Sequence, residues 1–350
     1  MKLEIGKNVF IRRIDELTNE ESKRWDSLLL TEDLRRAFMS RQYAHAVSLS
    51  GSDVVVIVIT SPEEPVAFLP LQRMPGFRGR CRIFEPVGGI MTDYFGVVAK
   101  DGFSLDVTQL IDATKGYINA VFYTHLDESQ QRFGLTGSEC RIGLRTRLGA
   151  STAEYWSVQR QNHQEFMRNT EKKERKLIKN VGPITCDWAS TQPEKDLAWL
   201  IELKKGQYTR TGKEHAPLFD AKNVALLNHL LYSNDHNCQG VLSVLRCGEQ
   251  RLAAHFGLRC HDMMHVWFTV YDTSFSGYSP GRVLYKHIID YGSTLGIKYF
   301  DNGEGDTPAK RDFANEEHFF YRGLWHASGW RGLYARIVLS AFWRMSQWRN

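Results

Sequence analysis

The sequence predicts a mixed α/β protein of two tandem halves, each a largely antiparallel sheet flanked by helices. Three observations carry that prediction. The chain has 350 residues, 42% hydrophobic and 24% charged, enough for two domains that each bury a core. Its second half alternates helical and strand periodicity in the order β-α-α-β-β-β-α-β. Its first half runs through the same order without obvious sequence identity, which places the junction near residue 150.

In the first half NVFIRRI reads as a strand, followed by helical stretches over 16–30 and 32–50. VVVIVIT, VAFLPLQRM and RIFEPVG are strand-like, with a turn at Pro75-Gly76. A helix is expected around TQLIDATKGYINAVF and a short strand near RFGLTG. In the second half Ser151 and Glu154 have capping-box spacing and open a polar helix over 152–180. PITCDWAS is a strand; helices follow from Pro193 and from Asp220. GVLSVLRC, RLAAHFGLR and MMHVWFTVY, separated by short turns, form an antiparallel meander. Ser279-Pro280-Gly281 then starts a helix with the stripe Leu284, Ile288, Tyr291 and Leu295, Gly296 ends it, and IKYFD is the last strand.

The formal net charge of +5 permits an anionic ligand without demanding nucleic acid. Six scattered cysteines form no CxxC pair and read as reduced thiols of a cytosolic protein. No signal-peptide pattern and no bilayer-spanning apolar run is visible. The tail RGLYARIVLSAFWRMSQWRN interleaves Arg331, Arg336, Arg344 and Arg349 with large apolar residues. It reads as a docked terminal helix or as an interfacial helix on an anionic membrane.

A helix that starts where strand ends splay can hold a pyrophosphate on its free N–H groups. The order above is that of the GNAT acyltransferase core, and specific residues strengthen the likeness. Tyr271-Asp272, Phe275-Ser276, Tyr278-Ser279-Pro280-Gly281, Gly296, Phe300-Asp301, Gly303, Gly305-Asp306 and Lys310 resemble the acyltransferases named for cellulose biosynthesis. That GNAT-superfamily group is related to the Fem-type peptidyltransferases. Asp93-Tyr94 after the Glu85-Pro86 strand, Lys172 to Lys176, Ala254 to Gly257, and Trp267 agree with it. One departure is Ala309 before Lys310, where the group usually has an aromatic residue.

The resemblance implies two GNAT-like domains: residues 1–150 as a degenerate acceptor-side or structural half, 151–330 as the acyltransferase half, and 331–350 as an amphipathic helix. It implies transfer from an acyl-coenzyme A to an amine or hydroxyl acceptor, such as an amino sugar, in envelope or exopolysaccharide synthesis. An acyl carrier protein or an aminoacyl-tRNA is the alternative donor, and a non-catalytic partner of a polysaccharide synthase the alternative role. The expected location is cytoplasmic, with a peripheral contact at the inner membrane face through the terminal helix.

Direct attack on a thioester needs a held donor, a proton acceptor and an oxyanion donor. The strand backbone at Val270 is the expected oxyanion donor. Tyr278, Ser279, Gly281 and Arg282 would meet the pyrophosphate, although Ser-Pro-Gly also starts ordinary helices. His255 and Asp301 are the candidate proton acceptors, against a core histidine and a turn-capping aspartate as plainer readings. Tyr271 could protonate the departing thiolate. Asp93, Tyr94, Trp267 and Lys310 are candidate acceptor contacts. No metal is expected: His261 and His265 have i, i+4 spacing but span a turn and a strand. The basic run of residues 168–179 reads first as a solvated helix with i, i+4 pairs.

Overall fold

The computed structural model describes residues 8–61, 64–213 and 216–347, with side chains described up to residue 342. In chain order it gives β1 (Val9–Arg13), α1 (Asn19–Leu29), α2 (Arg41–Leu49), β2 (Val54–Thr60), β3 (Pro65–Arg73), α3 (Gly76–Arg80), β4 (Ile83–Pro86), β5 (Val98–Ala99), α4 (Val107–Ala113) and β6 (Ala120–Asp127). Then come β7 (Glu139–Arg147), α5 (Thr152–Asn162), α6 (Gln164–Asn180), β8 (Ile184–Asp187), α7 (Pro193–Arg210), α8 (Ala221–Leu231) and β9 (Gln239–Cys247). The chain closes with β10 (Gln250–Cys260), β11 (Met263–Tyr271), α9 (Pro280–Thr294), β12 (Tyr299–Glu304), α10 (Pro308–Arg311), β13 (Glu316–His326) and α11 (Gly329–Gln347).

Two compact units result. One comprises Met1–Arg141 with Phe319–Asn350, the other Ile142–His318. In the first, the sheet runs β1-β2-β3-β4-β6-β13, with β4 parallel to β6 and β13 antiparallel to it. In the second it runs β8-β9-β10-β11-β12-β7, with β11 parallel to β12 and β7 antiparallel to it. The two halves therefore share one strand order, as the sequence predicts.

The sixth strand in each unit is exchanged. β7 follows β6 in the chain but pairs with β12, and β13 follows β12 but pairs with β6. The compact units divide at Arg141/Ile142 and at His318/Phe319, beside the expected boundaries near 150 and 330. The terminal helix is docked on the first unit, its Ala335 and Leu339 packing with Met74, Cys81, Ile83 and Ala120.

Local chemistry explains most elements. β2 is buried at every residue, β3 at all but Arg73, as expected for strands covered on both faces. Thr18 caps α1 in a reciprocal capping box with Glu21, while Ser40, Asp106, Ser151 and Asp220 cap their helices. Four expectations differ. IKYFD is not the last strand, because β13 follows it over Glu316–His326. The polar helix over 152–180 breaks at His163 into α5 and α6. The stretch from Thr108 is helical only to Ala113. Lys115 (φ 50°) and Gly116 (φ 84°) turn the chain, and the β-branched, aromatic remainder enters β6. RFGLTG forms no strand; a 3-10 turn ends at Phe133 and β7 begins at Glu139.

In the second unit one sheet face packs Leu245, Leu252, Ala253 and Met264 against Val283, Leu284, Ile288 and Ile289 of α9, with Tyr155, Met167 and Leu177 from α5 and α6. Arg246 lies one residue on from Leu245 and points to the other face. There the fully buried Asp196 of α7 accepts hydrogen bonds from Arg246, Arg251 and Ser190, which fixes α7 on the sheet. Burying a carboxylate requires such partners.

Candidate functional site

The site forms where β11 and β12 part. Their parallel register covers Met263↔Tyr299, Met264↔Phe300 and His265↔Asp301, and goes no further. On its other edge β11 shifts register against β10: Gly257 faces Val266 but Phe256 faces Phe268, so Trp267 is an extra residue. Such a bulge bends the strand and increases its local twist. It also reverses the facing of the residues beyond it, turning Thr269 and Tyr271 toward the start of α9. A Cβ on Gly281 would stand 3.8 Å from Thr269 Cγ2 and 3.7 Å from Tyr271 Cδ1.

Ser279 does not cap α9. It sits in the left-handed region (φ 50°, ψ 54°), which is costly for a residue with a Cβ, and its side chain bonds no helix amide. Instead Ser279 Oγ accepts a hydrogen bond from Lys173 Nζ at 2.7 Å. The Arg282 and Val283 amides bond back to Ser279 O. Pro280 has no N–H, so the Gly281 amide is the first N–H of α9. Arg282 lies over the Phe166 ring at 4.4 Å and reaches Asp312 at 3.5 Å.

The basic helix is more than a solvated surface. On α6, Lys173, Lys176 and Asn180 share one face and meet the loop before α9: Lys176 lies 5.8 Å from the Tyr278 ring centre, and Asn180 donates to Tyr278 Oη at 3.3 Å. The acids leave the run for other helices, rather than forming i, i+4 pairs within it. Glu171 bonds Arg160 of α5, and Glu174 bonds His287 of α9 at 2.7 Å. The His287 hydrogen bond, opposed by burial and helped by Lys286, holds the Glu174 carboxyl below its usual range.

Below the bulge lies a buried polar cluster. Asp301 is fully buried, and its Oδ1 accepts the Gly303 amide at 2.6 Å. The same oxygen is 3.9 Å from His265 Nδ1 and 3.6 Å from His318 Nε2. Asp301 thus caps the glycine turn and also stands between two imidazoles. His255 adjoins this group but is 1% exposed, and neither ring nitrogen has a hydrogen-bond partner among the described residues. Burial first, and His265 second, push its pKa down to about 3. A group so depressed is a poor proton acceptor near neutrality, which counts against His255 in that role. Gly257 makes this packing possible, since a Cβ there would meet His265 O at 2.5 Å and His255 Cε1 at 2.6 Å.

The remaining expected residues are scattered more widely. Tyr271 is 43% exposed at the end of β11. Val270 is buried opposite Ala254, in register with β10 and beyond the end of the β11–β12 register. Trp267 itself packs on Phe268 and Phe256. Lys310 Nζ donates to Glu304 O at 2.6 Å and closes the loop after β12. Asp93 and Tyr94 belong to the first unit. Tyr94 is buried there, 4.9 Å from the Phe320 ring and 5.1 Å from the Arg36 guanidinium, as an element of its core. His261 bonds Asn237 at 2.8 Å while His265 faces Asp301, so the pair does not converge on one point.

Sequence reasoning missed three residues. It weighs His265 only as a metal ligand and passes over His318 and Lys204. Lys204 Nζ donates to Thr269 O at 3.2 Å beside the Tyr208 ring, and burial, with Lys213, lowers its pKa to about 8. No local pattern marks any of them.

Comparison with known proteins bears on the fold. Residues 164–311 match the family model described as Acetyltransferase (GNAT) domain. The chain has no match among curated sequences. Among solved structures, FemX is 11% identical with a TM-score of 0.56, covering 90% of this chain and 96% of FemX. The C-terminal domain (DUF2156) of a protein named as a putative lysylphosphatidylglycerol synthetase from Agrobacterium fabrum is 11% identical with a TM-score of 0.51, covering 90% of this chain and 94% of that one. A conserved protein of unknown function from Bacteroides thetaiotaomicron VPI-5482 is 12% identical with a TM-score of 0.51, covering 87% and 97%. At these identities the likeness to the solved structures is one of fold alone, and the match to a GNAT domain is confined to residues 164–311.

Proposed function

We propose that the second unit transfers an acyl group from an acyl-coenzyme A to an amine or hydroxyl acceptor. The observation that carries this reading is the opening between β11 and β12 with the start of α9 beside it. The Gly281 amide and helix dipole, Lys173 and Arg282 offer a pyrophosphate the positive surroundings it needs. The thioester would lie along β11, beyond the end of its register with β12, with its carbonyl against the strand backbone near Val270 as oxyanion donor.

The acceptor attacks the carbonyl carbon, its proton leaves, and the C–S bond breaks to give the acylated product and coenzyme A. Asp301, between His265 and His318, is the proton-handling group of this reading, and His255 stays neutral beside it. Tyr271, exposed at the strand end, protonates the departing thiolate. The resemblance carried by the sequence motifs favours an amino sugar of an envelope or exopolysaccharide as acceptor. A second reading, an aminoacyl-tRNA donor, rests on the basic face of α6 at the donor loop and on the FemX-like fold.

Calorimetric titration with coenzyme A and a panel of acyl-coenzyme A thioesters tests the donor. Saturable binding, weakened about tenfold or more in Gly281→Leu and Lys173→Ala, supports the first reading. No binding, with strongly salt-dependent binding of aminoacyl-tRNA instead, would replace it with the second. Asp301→Asn should then lower turnover by about a hundredfold or more while donor affinity persists. Full turnover in that variant would remove Asp301 from the mechanism.

A further inference from the structure

Within the first unit, α11 is apolar on two opposite faces. Ala335 and Leu339 pack inward. Trp330, Leu333, Tyr334 and Ile337 follow i, i+3, i+4, i+7 spacing, so they share about 100° of the helix circumference. They are 76%, 58%, 42% and 58% exposed. A helix apolar all round is ordinarily covered on both sides. α3 lies alongside: Cys81, at its end, brings Sγ to 3.4 Å from Tyr334 Oη, and the Arg78 guanidinium stands 4.0 Å from the Phe342 ring centre. Phe77 of α3 adds another exposed aromatic ring.

The charge carried by the two helices has one sign. Neither α3 nor α11 contains an acidic residue, whereas they carry Arg78, Arg80, Arg331 and Arg336. Asp112 is occupied by Arg331 and the Ser328 amide, and Glu85, near Arg78, is turned to Gln72 at 2.8 Å. Arg331 and Arg336 fall on either flank of the apolar arc. No helix among the described residues is long and apolar enough to cross a membrane.

We propose that the α3–α11 face of the first unit docks flat on an anionic lipid bilayer. Its tryptophan, leucine and isoleucine enter the acyl boundary, and its arginines remain among the phosphates. A second copy of the chain fits less well, because self-association through a two-fold axis would bring the two arginine sets together. Nucleic acid would answer the arginines but leave the apolar arc in water.

Flotation of the full chain with vesicles tests this. Vesicles of phosphatidylcholine with about one third phosphatidylglycerol should carry the protein upward, and phosphatidylcholine alone should not. Leu333→Glu with Ile337→Glu should abolish flotation, and Arg78→Glu with Arg80→Glu should weaken binding by about tenfold or more. Unchanged circular dichroism and melting of each variant keeps the comparison valid, and either pair alone suffices if the other fails to fold. Failure of the wild-type chain to float would overturn the proposal. So would equal flotation of the variants, or a concentration-dependent dimer that the Leu333→Glu, Ile337→Glu pair disrupts without any vesicle binding.

Discussion

His255 shows how one residue changes meaning with its surroundings. In sequence it is an imidazole in a strand and so a plausible base; in the structure it is a neutral core group hemmed in by Gly257 and His265. Its pKa of about 3 is below the ordinary value of 6.5, so the unfolded chain binds its proton more readily than the native one. Stability from this group is therefore complete above about pH 6.5 and declines as pH falls toward 3. His255→Gln should lessen that acid sensitivity: the fall in urea-unfolding free energy from pH 7 to 4.5 should be smaller by about 2 to 3 kcal/mol. Identical pH dependence in both proteins would contradict the burial assigned to the ring. Asp301 was legible as a residue of interest because the sequence put it at a strand end before a glycine-rich stretch, although β12 runs on to Glu304. Its imidazole neighbours were not, since His318 reaches it only through the tertiary fold.

At the scale of elements, the meander, α9 and β12 were readable because turn residues, caps and periodicity act over a few positions. The bulge at Trp267 was not, for an extra residue is defined only by the partner strand it fails to match. That bulge joins three features: the end of the β11–β12 register, the facing of Tyr271 toward α9, and the need for glycine at 257. Gly257→Ala forces a Cβ against His265 O and the His255 ring, which must shift to admit it. The substitution should cost about 1 to 3 kcal/mol in urea unfolding. A neutral result would mean that β10 and β11 can part at the bulge without penalty. α6 gives the same lesson: its charges were visible, but the face it turns to Ser279 and Tyr278 was not.

For the molecule as a whole, the exchange of β7 and β13 sets what can be removed. β13 pairs with β6 from Phe320 to His326, and Trp325 packs on Tyr123 and Phe95. Deleting residues 319–350 should therefore expose the β6 edge and its aromatic core and unfold the first unit, whereas loss of a merely appended tail would leave it intact. Limited proteolysis of the shortened chain tests this: rapid cleavage within residues 8–141 is expected, and full protection would show that β13 is dispensable.

The sequence by itself determined the mixed α/β class, the repeated order of elements and the loop that opens α9, because each depends on interactions within a few residues along the chain. Tertiary structure decided which unit receives each sixth strand, that His255 is sealed in a core, and that Lys173 reaches Ser279 and His318 reaches Asp301. The physical reason is that strand pairing, burial and convergence of charges are set by residues distant in the chain, and local periodicity carries no record of them.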